Sequence, residues 1–175
     1  MKLLPGLCPR MPWVAGCVLA LLGCREPTKV TLDVLTSANC ADVGTTSVTV
    51  GPAGGLESLA PTTATRTGCN NGAIGSVVLV PEHDPDSPLA FKVVTGIRKN
   101  SEDCKAPDYK GCIVARRSLA YVPHNPLTIH IQMELACVDV PCGPFETCKR
   151  GACVIAECSS DLNSCDDFGA AGAPQ

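Results

Sequence analysis

Three histidines and thirteen cysteines have the most chemistry to offer in this 175-residue chain. A histidine does general acid–base work when a nucleophile or a second proton-handling group stands beside it. His83 lies in Pro81-Glu82-His83-Asp84-Pro85-Asp86, an acidic, proline-punctuated stretch that reads as a solvated turn. His124 lies in a second turn, Pro123-His124-Asn125-Pro126. His130 falls on the polar face of an alternating segment, with Glu134 further along that face, and reads as a bare surface histidine. No serine occupies a Gly-x-Ser-x-Gly elbow, and no His-Glu-x-x-His occurs. The histidines predict no catalytic site, so neither an enzyme nor a cofactor is expected.

The cysteines point elsewhere. After Cys8, Cys17 and Cys24 come four widely spaced ones, Cys40, Cys69, Cys104 and Cys112. Six more, Cys137, Cys142, Cys148, Cys153, Cys158 and Cys165, crowd the end of the chain. Structural zinc sites are built on closely spaced Cys-x-x-Cys pairs, and none is present, so no metal is expected. The even ten beyond Cys24 suit five disulfides in an exported chain that folds in an oxidising compartment. Cys104 and Cys112 flank a polar loop and are expected to pair locally.

Residues 1–23 have the layout of a cleaved export signal. Lys2 and Arg10 give a positive start without acids, and Met11 to Gly23 is apolar. That run is shorter than the roughly 20 residues of a membrane-spanning helix, and Pro5, Pro9 and Pro12 argue against a buried one. It closes in Leu21-Leu22-Gly23-Cys24, which resembles the lipobox of bacterial lipoproteins. The resemblance implies a diacylglycerol on the Cys24 sulfur, cleavage before Cys24 and acylation of its new amino group. Val14-Ala15-Gly16-Cys17 has a similar form but leaves only about six apolar residues before its cysteine, short of the usual seven to fifteen. Arg25 stands where inner-membrane lipoproteins often carry Asp, which favours the outer membrane of a two-membrane envelope.

Each buried methylene contributes about 0.8 kcal/mol, and one chain alone binds only marginally. Several acyl chains on Cys24 would therefore make a lasting anchor. Residues 24–29 then form a short tether. The five residues from Arg25 to Lys29 reach at most about 18 Å, so the folded part would sit close to the lipid headgroups.

Composition narrows the partners. Without residues 1–23, twelve basic and seventeen acidic side chains leave a net charge of −5. No basic stripe survives, and nucleic-acid binding loses its electrostatic footing. The only tryptophan, Trp13, belongs to the signal, leaving Phe91, Phe145, Phe168, Tyr109 and Tyr121. That is little from which to build a stacking platform.

Alternation of apolar and polar residues predicts the elements of residues 30–136. Leu127, Ile129, Ile131, Met133 and Leu135 share one face of a strand, and Val30, Leu32 and Val34 share one face of another. Further strands are expected at Thr46–Val50, Ala64–Cys69, Ser76–Val80, Ala90–Ile97 and Ile113–Val122, with turns at Gly51-Pro52, Asn71-Gly72 and Pro85-Asp86. Seven short strands predict an all-β, immunoglobulin-like antiparallel β-sandwich, with Phe91 and Tyr121 as its large fillers. Ile113–Val122 is apolar on both faces and carries one arginine on each, Arg116 and Arg117. A bulge or a position between sheets would account for that.

Residues 137–168 form a small disulfide-rich module, with 169–175 as a flexible tail. Its Cys-x4-Cys-x5-Cys-x4-Cys spacing is similar to the first half of an EGF-like module, although the later Cys-x-Cys is missing. The resemblance implies pairing of Cys137 with Cys148 and of Cys142 with Cys153. Asp161 to Asp166 lacks the glycine and glutamate of a calcium loop. The whole layout resembles a group of myxobacterial lipoproteins, which implies an architecture and no activity. The expectation is a membrane-anchored, non-enzymatic binding or structural lipoprotein of the cell envelope. Its partners would be the membrane, through lipid on Cys24, and other envelope or surface proteins. The alternative is a protease inhibitor presenting Lys149-Arg150 to a trypsin-like enzyme.

Overall fold

A computed structural model describes residues 28–63, 66–80, 88–120, 126–158 and 162–168. The signal, Cys24, Ala64, Thr65, His83, Tyr121, His124, Asp161 and residues 169–175 lie outside the described residues. The strands are β1 (Val30–Thr36), β2 (Val43–Gly51), β3 (Arg66–Thr67), β4 (Ala73–Leu79), β5 (Pro88–Ile97), β6 (Cys112–Ala120), β7 (Leu127–Met133), β8 (Glu146–Lys149) and β9 (Ala152–Ile155). Their sheets are β4-β1-β7, β3-β2-β5-β6 and the hairpin β8-β9. The protein is all-β with a disulfide-rich C-terminal region.

The period-two pattern explains how the first two sheets meet. Val30, Leu32 and Val34 on β1 and Ile129, Ile131 and Met133 on β7 are buried, while the residues between them are half-exposed or exposed. They share one core with Phe91 and Val93 on β5 and Ile113 and Ala115 on β6. At Asn71-Gly72 both residues have positive φ, 48° and 82°. Asn and Gly tolerate that conformation, and it matches the twist of a tight hairpin. Asn70 and Ala73 accordingly exchange two backbone hydrogen bonds of 2.9 Å.

One pairing departs from an all-antiparallel sandwich. β1 and β7 run parallel, from Val30 opposite Leu127 to Thr36 opposite Met133. Parallel neighbours need a long crossover, and the chain supplies it by building the whole second sheet between them. β7 also stops at Met133, and Leu135 begins a 3-10 turn, Leu135–Cys137, with its side chain exposed. β6 contains no bulge, because its register with β5 runs unbroken from Pro88↔Ala120 to Gly96↔Cys112. Both of its faces are covered, which is why Arg116 and Arg117 are both buried.

All ten cysteines from Cys40 onward are joined, as Cys40–Cys69, Cys104–Cys112, Cys137–Cys148, Cys142–Cys153 and Cys158–Cys165. The local 104–112 bridge and the two pairings implied by the EGF-like spacing are among them. Cys137, Cys142, Cys148 and Cys165 sit in the same buried cluster as the sandwich core. Ser118 on β6 bonds to Ala156 and Cys158 through its backbone, at 2.9 and 2.8 Å. The cysteine-rich part is therefore seated on β6 and closes the core.

The two ends of the sandwich are distinct. Thr36 and Val43 are joined by a short connection, and Arg98 and Asp139 bond to Asp42 and Cys112 beside it. The registers then place Val30, Gly51, Pro88, Ala120 and Leu127 together at the opposite end, where the described chain begins.

Candidate functional site

Three neighbouring strands place a polar row on the outer face of the first sheet. Asp33 on β1 lies opposite Ser76 on β4 and opposite His130 on β7. Ser76 Oγ donates to Asp33 Oδ1 at 2.5 Å, and His130 Nε2 lies 3.8 Å from Asp33 Oδ2. From the C-terminal segment, Asp166 reaches His130 Nδ1 at 2.8 Å, and the Phe168 ring meets the imidazole edge-on. His130 is thus a half-buried, partnered residue, contrary to its reading as a bare surface histidine. Glu134 turns away and accepts a hydrogen bond from the Arg150 backbone at 2.5 Å.

The row borders an open depression of about 270 Å³ floored by Val34, Gly75 and neighbouring residues. Asp166 can orient the imidazole, as a carboxylate does in a relay. Ser76 is bonded to Asp33 rather than to the imidazole, so it does not complete such a relay. Among the described residues, no three His, Cys, Asp or Glu side chains converge as a metal site. Asp166 stands 36 residues from His130 in the chain, and no local pattern could pair them.

A second polar group is buried on the outer face of the other sheet. Lys92 on β5 lies opposite Arg116 on β6, and their side chains are only 7% and 3% exposed. Two adjacent buried cations need an anion. Glu57, from the β2–β3 connection, supplies it, meeting Lys92 Nζ at 3.1 Å and Arg116 Nε and Nη2 at 2.9 and 2.6 Å. The Tyr109 hydroxyl donates to Glu57 and accepts from Lys92 at 3.1 Å. Its ring carries both cations at about 5.5 Å from its centre.

Burial pushes the Glu57 carboxyl up, but bonds from Tyr109, Arg116 and Lys92 outweigh it and hold the pKa below its ordinary value. Burial lowers that of Lys92. Burial, then the bond to Glu57, pushes the Tyr109 phenol well above its ordinary range. A group with a raised folded pKa adds stability below its unfolded pKa and loses it as pH rises. In an alkaline absorbance titration, Tyr109 should therefore stay protonated past about pH 10, where free tyrosine ionises, and ionise as the fold opens. Tyr109→Phe should abolish that late step; a late step that persists in the variant belongs to Tyr121 and refutes the assignment.

Arg117 points to the other face of β6. Its guanidinium bonds to Asp167 at 2.5 Å, to the Cys165 carbonyl at 3.1 Å and to Thr147 Oγ1 at 3.0 Å. Lys149 and Arg150 flank the β8–β9 turn. Lys149 leans toward Asp167 at 3.5 Å, while Arg150 and Gly151 adopt φ of 53° and 79° in a tight reversal. The Glu57 and Asp167 groups are ion-pair locks that fasten the β2–β3 connection and the C-terminal segment to strands. No protein-family model, no curated protein and no solved structure matches the chain.

Proposed function

We propose that this chain is a lipid-anchored protein of the bacterial envelope that presents a rigid, non-enzymatic surface to other envelope components. The observation that carries this reading is the closed set of disulfides. All ten cysteines after Cys24 pair with one another, which suits an oxidising compartment and leaves Cys24 without a partner among them. A diacylglycerol on its sulfur would use it. The ion-pair locks and the disulfide-fastened C-terminal region support a fixed scaffold whose loops make the contacts. The inhibitor reading has less support, because a substrate-like inhibitor offers its basic residue to an S1 pocket from an extended segment, and Arg150 sits in a tight turn.

Mass spectrometry of the chain isolated from membranes tests this. The expected N-terminal peptide begins at Cys24 and carries a diacylglyceryl group and an amide-linked acyl chain; a mature chain starting there without acyl groups would overturn the anchoring. Protease treatment of intact cells then separates a surface-exposed location, which favours recognition or adhesion, from a periplasmic one, which favours envelope scaffolding.

A further inference from the structure

Large apolar side chains left in the open gather at one end of the molecule. Phe145 is 63% exposed and Ile155 76%, and both flank the end of the β8–β9 hairpin that lies away from its turn. Val80 follows the end of β4, and Leu59 lies against Gly51 at the end of β2; both are exposed. This is the end at which the described chain enters β1. Leu135, by contrast, is exposed at the opposite end.

The patch is built and held. The Phe145 ring lies so close over Gly54 that a Cβ there would come within 2.5 Å of it. Ala53, Leu56, Pro88, Pro144 and Ile155 join Phe145 around a depression of about 330 Å³. Exposed apolar patches of this kind mark binding surfaces.

We propose that this end rests on the lipid bilayer, with Phe145 and Ile155 inserted among the headgroups and upper acyl chains. The proposal rests on acylation of Cys24 and adds an orientation to it. Only Arg25 to Lys29 separate that cysteine from β1, and five residues span at most about 18 Å. The anchored end of the sandwich therefore faces the membrane at close range, with its apolar patch on that side. Charge plays no part in the attraction. Glu157, Arg116 and Arg117 also line the depression, and the two arginines are buried and paired with Glu57 and Asp167. Contact is apolar and needs no anionic lipid.

The mature chain has no tryptophan of its own, so Phe145→Trp, Ile155→Trp and Leu135→Trp each install a single reporter at an exposed site. Each acylated variant, purified from membranes, is reconstituted into phosphatidylethanolamine vesicles with brominated acyl chains. Side chains inserted about 5–10 Å, the depth of interfacial apolar groups, should lose emission roughly twofold or more to the bromines. That is the result expected for Phe145→Trp and Ile155→Trp, with Leu135→Trp unchanged. Acylated protein whose Phe145→Trp and Ile155→Trp reporters stay bright overturns the docking and leaves the anchoring intact. A chain shown by mass to lack acyl groups overturns both. A blue shift that follows protein-to-lipid ratio and ignores bromine assigns the patch to a second copy of the chain and also overturns the docking.

Discussion

Asp167→Ala is expected to destabilise the fold by about 3–5 kcal/mol, the cost of leaving a buried ion without its partner. The Arg117 and Asp167 side chains are 6% and 7% exposed and meet at 2.5 Å. Asp167 does more than balance charge. Its second oxygen accepts the Gln132 backbone N–H at 2.8 Å, and its own N–H donates to the His130 carbonyl at 3.0 Å. It thereby ties the C-terminal segment to β7. Among the described residues, alanine would leave the guanidinium with neutral acceptors (Cys165 O, Thr147 Oγ1 and Arg116 O) and would strip Gln132 of its partner. Lys149, at 3.5 Å and more exposed, cannot help, since it too is a cation.

Urea unfolding without reductant gives the measurement, and a double-mutant cycle gives its meaning. Arg117→Met combined with Asp167→Leu removes both charges and should cost much less than Asp167→Ala alone, because an apolar pair of similar volume replaces a buried ionic one at little net loss. A loss below about 1 kcal/mol for Asp167→Ala would be that of a surface pair. In that case the C-terminal segment is not fastened to the core as described.

Strands were legible from the sequence because a half-buried strand writes its burial into alternate residues. Val30, Leu32 and Val34 show the pattern, and so do Ile129, Ile131 and Met133. The same alternation says which face is buried and nothing about which strand lies alongside. The parallel contact of β1 with β7 was therefore beyond it. Cys104 and Cys112 were legible as a pair because the loop between them is short. Asn71-Gly72 was legible because few other residues accept that backbone.

The polar groups were hidden for the opposite reason. Lysine, arginine and glutamate ordinarily mark solvent, and here partners distant in sequence bury them. Glu57 reaches Arg116 across 59 positions, Asp167 reaches Arg117 across 50, and Asp166 reaches His130 across 36. The one visible trace was β6 itself, a strand apolar on both faces that nonetheless carried two arginines. A strand covered on both sides must find anions for them, and each came from a segment that reads as loop.

Glu57 provides the second large effect, and its pH dependence separates charge from packing. Glu57→Gln keeps the size and most hydrogen-bonding atoms but leaves Lys92 and Arg116 as adjacent buried cations. A loss of about 3–5 kcal/mol is expected at neutral pH, toward the lower figure because Glu57 is itself one-quarter exposed. Its folded pKa lies below its ordinary value, so its stabilisation is complete above about pH 4.3, the pKa of an unperturbed glutamate. That contribution fades as pH falls through the lower folded value. The gap between wild type and Glu57→Gln should accordingly be constant from pH 7 to 5 and close as the medium is acidified further.

The cations respond unequally to losing the anion. Arg116 keeps its proton at any accessible pH, while burial already lowers the pKa of Lys92. Lys92 is therefore the group that gives way, and Lys92→Met in the Glu57→Gln background should recover much of the lost stability. If the gap stays constant down to pH 3, or if Lys92→Met recovers nothing, Glu57 holds its connection to the sheet through shape and neutral hydrogen bonds. If the gap closes and the second change rescues, the β2–β3 connection is fastened to the sheet by a charge that two buried cations require.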